Sequence, residues 1–220
     1  MATMSTRRKL AIATWSAPRE GNIYGKITVD VTKANAYIAH LRETSGEKVT
    51  ITHLVGKAVA MAFKQAPTLN GRIVWGRFEP LPEINISYLV ALEEGKDLAK
   101  AKIDNLDRKT VVDVAKELRA LAARLHRGED DDFNKAKGLL RALPTWLIRP
   151  LLFVTGWFAS ALGVSVPALG IERFPFGSCI ITSVGMLGLD EGYAPPTPFA
   201  RVPVLVLLGA IKDQPIVIDG

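Results

Sequence analysis

The sequence has very little cysteine and histidine, which limits the chemistry it can support. It contains one cysteine, Cys179, and three histidines among 220 residues. A single cysteine cannot form an internal disulfide, so we expect a reducing compartment, the cytoplasm. Because Cys179 lies inside an apolar run with no histidine nearby in sequence, a buried, inert thiol is favoured over a nucleophile. We expect no bound metal ion.

The charges are scattered along the chain. There are 28 basic and 22 acidic residues, a net charge of +6, without basic clusters interleaved with aromatic residues. This pattern argues against a nucleic-acid partner and allows only a weak attraction to acidic surfaces. Near the N-terminus, a basic start leads into a short apolar stretch that Thr14, Trp15 and Ser16 interrupt. We therefore expect no secretory signal peptide.

Composition and hydrophobic period predict an α/β protein. With 48% hydrophobic residues, the chain can bury a substantial core as one large domain or two small ones. Alternation predicts a half-buried strand at 26–32, and an almost continuous apolar run predicts a deeply buried helix at 52–67. The other predicted elements are a helix at 33–44, a hairpin around Gly76, strands at 84–94 and 100–106, and a helix at 111–125 with a capping box of Thr110 and Asp113.

One later segment is unusually apolar. Residues 143–171 carry a single charge, Arg149, and residues 151–171 carry none. That length makes a transmembrane helix a candidate, but its prolines and glycines, and the soluble-looking strands that follow, favour a short helical hairpin. We place this insertion at 131–176. It can lie on the domain's own core, on a neighbouring subunit or partner protein, or on a membrane interface, which would make the protein peripheral. The residues that suit an interface are Trp146, Trp157, Phe158, Arg141 and Arg149.

The stretch IITSVGMLGLDEG, residues 180–192, predicts a buried strand that ends in two hydroxyls. Its β-branched apolar residues lead to Thr182 and Ser183, which come just before the first of three glycines. Glycines at this place fit a tight turn that needs positive φ or close backbone approach. The hydroxyls serve either catalysis or a strand-end backbone group.

The order of the segments resembles a known family. The chain is similar to the catalytic domain of the acyltransferase component of 2-oxo acid dehydrogenase complexes, whose fold is shared with chloramphenicol acetyltransferase. TSVGMLGLDE is the most specific local match. The resemblance implies a single acyltransferase-like domain, 1–220, with a two-layer α/β sandwich of a mixed β-sheet and packed helices, interrupted by the apolar helical insertion. The other segments that carry it are ITVDVTKANAYIAHLRE, KVTITHLVGKAVAMAFKQAPTLNGR, INISYLVALEEG, VVDVAKELRALAARLHRGE and PVLVLLGAIKDQPIVIDG.

The resemblance also implies a reaction. Members of this family move an acyl group between coenzyme A and the thiol of a lipoyl group, through a tetrahedral intermediate that carries an oxyanion. The family's Ser/Thr, which can donate a hydrogen bond to that oxyanion, falls on Thr182, and Ser183 replaces the usual Asn, so these two are the catalytic candidates. Acyl-CoA is then a substrate, and the active site lies between subunits of a homotrimer or higher homo-oligomer. The sequence shows no lipoyl domain, so no covalent lipoyl group is expected on this chain.

The sequence has no match to the family's motif that carries the general base. The family's histidine lies in a D-H-x-x-x-D-G motif, and here Pro215 stands four residues before the Asp219 that matches the motif's end. We expect His40 and His126 to be exposed on helices and His53 to have a structural or capping role. Two hypotheses follow: a stand-alone acyltransferase of which this sequence is a C-terminally shortened form, or a catalytically inactive, trimeric scaffold or membrane- or partner-binding module.

Overall fold

The computed structural model describes residues 5–14, 22–92, 97–165, 167, 172–195 and 200–215. The helices are α1 (Thr6–Thr14), α2 (Thr32–Ser45), α3 (Ile51–Gln65), α4 (Val111–His126), α5 (Asp131–Ala142) and α6 (Thr145–Gly156). The strands are β1 (Gly71–Val74), β2 (Arg77–Pro80), β3 (Ile86–Leu92), β4 (Asp97–Ile103), β5 (Cys179–Ser183) and β6 (Val204–Leu208). Most helices and strands lie where the sequence predicts them.

A mixed four-stranded sheet organises the fold. Its strand order is β4-β3-β5-β6, with β3 and β4 antiparallel and β3, β5 and β6 parallel, and β1 and β2 form a separate hairpin. Helices α3 and α4 contact this sheet, and their side chains Phe63 and Val114 share one apolar core with Ile86, Tyr88 and Ile181. The predicted α/β sandwich with a mixed sheet is confirmed.

Helix α4 shows how local sequence fixes a boundary. The Thr110 hydroxyl accepts a hydrogen bond from the backbone N–H of Asp113 at 3.1 Å, and the Asp113 carboxylate accepts one from the backbone N–H of Thr110 at 3.0 Å. These reciprocal bonds satisfy donors that a helix start otherwise leaves unpaired. The predicted capping box is confirmed.

The apolar insertion contains helices and packs on the N-terminal helix. Ala13 of α1, Leu140 of α5, and Ile148 and Leu152 of α6 form a buried cluster separate from the sheet core. Helix α6 continues into a π-helical turn at Trp157–Ala161. The end of the predicted hairpin, at 166 and 168–171, lies outside the described residues, and the bounds 131–176 stay a prediction. None of the helices in the described ranges is long and apolar enough to cross a bilayer.

The predicted strand at 26–32 is wrong. Residues 22–31 have no ladder, and Ile27 and Val29 are 85% and 66% exposed. Alternation marks a strand only where a neighbouring strand supplies hydrogen bonds. Here the segment is held instead by side chains, through an ion pair of Lys26 with Glu191 and an edge contact of Tyr24 with Tyr193 at 5.8 Å.

The deep burial predicted for α3 holds on one face of the helix only. Met61 is 51% exposed. The buried residues follow the three-to-four spacing of one helix face, because a helix that packs on a sheet from one side buries a single stripe. They are His53, Gly56, Ala60 and Phe63.

Candidate active site

Thr182 and Ser183 form the end of β5, as the sequence predicts. In the parallel ladder they stand beside Leu207 and Leu208 of β6. Ile180 packs with Ala200 and Val202 on one side of the sheet, so alternation places Thr182 on that side and Ser183 on the other. Both residues are half-buried. Because neither hydroxyl hydrogen-bonds any residue in the described ranges, both are available to a ligand.

The turn after β5 is fixed by close backbone approach. A Cβ built on Gly185 would lie 2.6 Å from the carbonyl oxygen of Gly209, and Gly188 has φ +74°. Backbone N–H groups of Val184 and Ala210 donate to Leu208 at 2.9 Å and Leu189 at 3.0 Å. These two glycines therefore meet the two needs that the sequence predicts, and the turn holds the end of β5 rigidly against the exit of β6.

A cleft of about 2170 Å³ runs along the outer edge of β6. It is larger than most small-molecule pockets, so it can take an extended ligand or a segment of another chain. Leu207 lines it, whereas Thr182 and Ser183 do not. Since Leu207 is the register partner of Thr182, the Thr182 backbone lies one strand spacing, about 4.8 Å, from the wall of the cleft. The other walls come from 22–32, the start of α2, α3, the β1–β2 hairpin, Phe153 of α6, 160–161, 190–194 and 201–214.

No histidine is placed to act on the Thr182 hydroxyl. His53 is the third residue of α3, and its Nδ1 accepts a hydrogen bond from the backbone N–H of Thr50 at 3.0 Å. Burial lowers the pKa of His53 to about 4, which keeps the ring neutral at neutral pH. The predicted capping role is confirmed, and His40 and His126 are exposed on helices as expected. Within the described chain, none of the three hydrogen-bonds Thr182 or Ser183.

Two polar residues of the cleft were not predicted from sequence. The Arg72 side chain donates from Nη2 to Glu79 at 2.9 Å and stacks over the Phe174 ring, with Cζ 4.2 Å from the ring centroid. Its Nε and Nη1, and the Oγ of Ser160, are buried without a hydrogen-bond partner. Such unpaired groups are costly and are candidate ligand contacts. The sequence gives no signal for them, because the pairing state depends on loops far apart in the chain.

Cys179 takes no part in this site. It is fully buried in the sheet core, and burial raises the pKa of its thiol to about 12. The predicted inert thiol is confirmed. In the ranges that the structure describes, no three His, Cys, Asp or Glu side chains come together in a way that could hold a metal ion.

The chain matches a known protein family over much of its length. A model of the 2-oxoacid dehydrogenases acyltransferase (catalytic domain) family matches residues 6–135, more than half of the chain. The chain belongs to this family. The lipoamide acyltransferase component of the branched-chain alpha-keto acid dehydrogenase complex of Bacillus subtilis (strain 168) is 33% identical over 105 residues, which are 46% of this chain and 24% of that protein. The resemblance inferred from sequence is confirmed.

Solved structures show the same fold. A probable dihydrolipoamide acetyltransferase from Listeria monocytogenes 4b F2365 gives a TM-score of 0.55 at 21% identity, over 84% of this chain and 61% of that one. The Azotobacter vinelandii dihydrolipoamide acetyltransferase, studied for the role of a serine, a histidine and an asparagine in its catalytic mechanism, gives 0.54 at 18% identity, over 86% and 62%. The present chain thus spans about a quarter of the curated relative and about three fifths of the solved chains. Since the family match ends at 135, the roles of Thr182 and Ser183 stay predictions.

Proposed function

We propose that the protein transfers an acyl group between coenzyme A and a thiol acceptor through a tetrahedral intermediate. Family membership supports the reaction class. The observation that carries the proposal is the free, half-buried hydroxyl of Thr182, held by a rigid turn one strand from a large cleft. A hydroxyl fixed before the reaction starts donates to the developing oxyanion without reorganisation, an effect worth about 3 kcal/mol of the barrier. Ser183, which alternation places on the other side of the sheet, is the second catalytic candidate.

The thiol acceptor must also lose a proton. A general base with a pKa near neutrality does this best, and histidine is the usual choice. His53 is committed to its capping bond. We propose that the base is a histidine contributed across a subunit interface in a longer form of the chain, which agrees with the resemblance described from sequence.

The cleft is the proposed site of acyl-CoA. The phosphates of coenzyme A carry negative charge, and Arg72 and Arg201 both line this space. Two nitrogens of the Arg72 guanidinium and the Ser160 hydroxyl are buried without a hydrogen-bond partner, so an oxygen atom of the ligand that reaches them would satisfy them. Arginine forks match phosphate geometry well, which supports this placement.

We propose a homotrimer or a higher homo-oligomer in the cytoplasm as the working form. One solved relative, with a TM-score of 0.55 at 18% identity, is the cubic core of the pyruvate dehydrogenase multienzyme complex. The open edge of β6 and the exposed apolar segment 22–31 are surfaces that an assembly can cover.

A second candidate function is an inactive oligomeric scaffold. It is favoured by one observation, the absence of any histidine hydrogen-bonded to Thr182 in the described ranges. An assay of acyl transfer distinguishes the two functions, because an inactive scaffold would not catalyse the reaction.

The test is Thr182→Val in the protein at the length its host produces. Valine keeps the shape and removes the donor, so we expect kcat for transfer from acyl-CoA to dihydrolipoamide to fall about a hundredfold. Thr44→Val, on the exposed side of α2, is the matched control and should leave kcat unchanged. Unchanged turnover in Thr182→Val would remove Thr182 from the mechanism, and an inactive parent protein would favour the scaffold.

A further inference from the structure

The solvent side of α6 is apolar, the reverse of an ordinary surface helix. Its inner face packs in the cluster with α1 and α5, while its outward face includes Trp146, Leu147, Pro150 and Val154. Trp146 is 74% exposed and Val154 is 50% exposed. A surface helix normally turns polar residues to water, so an outward face this apolar marks a contact with something else.

The apolar surface continues beyond the helix. The Trp157 ring, at the end of α6, lies 5.2 Å from the Phe158 ring and 6.4 Å from the Trp75 ring, measured between centroids. Trp75 is 80% exposed at the tip of the β1–β2 hairpin, where φ is +49°. A large side chain in this unfavourable backbone region is held there against a local cost. The outward face of α6 and the hairpin tip thus form one aromatic surface.

The segment that contains α6 carries charges of one sign. Residues 133–171 carry four basic side chains and no acidic one. Arg149 lies on the exposed side of α6, and Arg141 is exposed just before it. Tryptophan, phenylalanine and arginine together are the composition of a helix that lies in a membrane interface, where arginine meets lipid phosphate.

The geometry excludes a spanning helix. Twelve residues of α6 measure about 18 Å, against about 30 Å of hydrocarbon in a bilayer. Pro150 lacks an N–H, so the Trp146 carbonyl has no usual helical donor, and an unpaired carbonyl is tolerated in the hydrated headgroup layer but not in the core. A second copy seated with Arg149 near the two-fold axis would bring the two Arg149 side chains together, with no acidic residue in 133–171 to compensate.

We propose that the outward face of α6, with the tip of the β1–β2 hairpin, docks in the plane of an anionic phospholipid bilayer. Val154 and the exposed tryptophans enter the interface, and Arg149 and Arg141 meet the headgroup phosphates. This function is independent of acyl transfer, and its test does not measure turnover.

The test is flotation of the purified protein with large vesicles of phosphatidylcholine alone or mixed with phosphatidylglycerol. We expect binding to the mixed vesicles that is about tenfold stronger than binding to phosphatidylcholine alone. Trp146→Ser combined with Val154→Ser should weaken binding to the mixed vesicles at least about tenfold. Arg149→Glu should weaken it on the mixed vesicles only.

The matched control is Tyr37→Ser combined with Met61→Ser, since these side chains are 48% and 51% exposed on α2 and α3. It should leave vesicle binding unchanged. No binding to either vesicle, or equal binding by the α6 variant and the wild type, overturns the proposal. Light scattering supplies the remaining outcome: if the α6 variant has a lower mass than the wild type in the absence of lipid, the face belongs to a second copy instead.

Discussion

At the scale of single residues, one glycine sets how closely a helix meets the sheet. Gly56 of α3 faces the hydroxyl of Tyr88, a side chain that is 2% exposed and whose oxygen has no hydrogen-bond partner. Burial raises the pKa of Tyr88, so the hydroxyl stays neutral at any ordinary pH. A Cβ at position 56 would overlap this hydroxyl. Glycine is therefore kept inside a helix despite its usual cost of about 0.5–1 kcal/mol.

Gly56→Ala should lower the free energy of unfolding by about 1–3 kcal/mol, because the added methyl group overpacks the core. Tyr88→Phe should be close to neutral, since it removes an unpaired buried hydroxyl. In the double variant we expect part of the loss to be recovered. Urea unfolding followed by circular dichroism measures all three, and a strictly additive double variant would contradict the contact.

His53 gives the fold a dependence on pH. Its pKa is about 4 in the folded protein and about 6.5 in an unfolded chain, so the unfolded state takes up the proton first as pH falls. The free energy of unfolding should decrease as pH is lowered from about 6.5 towards 4. Glutamine at position 53 keeps an acceptor for the Thr50 N–H but does not titrate, so His53→Gln should flatten this part of the profile. Urea unfolding at a series of pH values tests it, and identical profiles would contradict it.

The capping role of His53 could be predicted, because it follows from position three of a helix that begins after a threonine. The unpaired atoms of Arg72 could not. Whether a guanidinium in a short strand finds all its partners depends on Glu79, Phe174 and the cleft, which the fold assembles from distant parts of the chain.

At the scale of elements, the turn after β5 couples stability to the proposed chemistry. A Cβ at Gly185 would press on the carbonyl of Gly209 and displace the turn that holds Thr182. Gly185→Ala should lower both the free energy of unfolding, by about 1–3 kcal/mol, and the rate of acyl transfer. Gly138→Ala in α5, where nothing lies within 4 Å of the new methyl group, should instead stabilise the protein by up to about 1 kcal/mol.

Calorimetry and the acyl-transfer assay separate these outcomes. A Gly185→Ala variant that is destabilised but fully active would show that Thr182 does not depend on the turn. The sequence predicts this turn well, because spaced glycines after a β-branched run carry the information locally. The strand predicted at 26–32 was wrong for a different reason. A strand forms only where a neighbouring strand pairs with it, and alternation within one segment does not show whether that neighbour exists.

At the scale of the whole molecule, the order of the segments together with the local match TSVGMLGLDE was enough to identify the family. For the proposed assembly, we expect light scattering to give the mass of three chains, or of a multiple of three, at concentrations where the subunits associate. A monodisperse monomer would count against the trimeric active site. The vesicle experiment belongs to the same scale, since it measures lipid binding by a surface that several separate segments form together.

The pairing of β3 with β5 has a consequence for how fast this protein acquires its structure. These neighbours meet at Ile86 and Cys179, more than ninety residues apart in the chain, and β4, α4, α5 and α6 all lie between them. The central ladder therefore closes a very long loop before any of its hydrogen bonds form, and chains with such distant contacts fold in milliseconds to seconds. Halving that loop would recover only about 0.6 kcal/mol of closure entropy. The insertion thus adds little to the time that β3 and β5 need to meet. We expect the slow step of folding to be the pairing of these parallel strands.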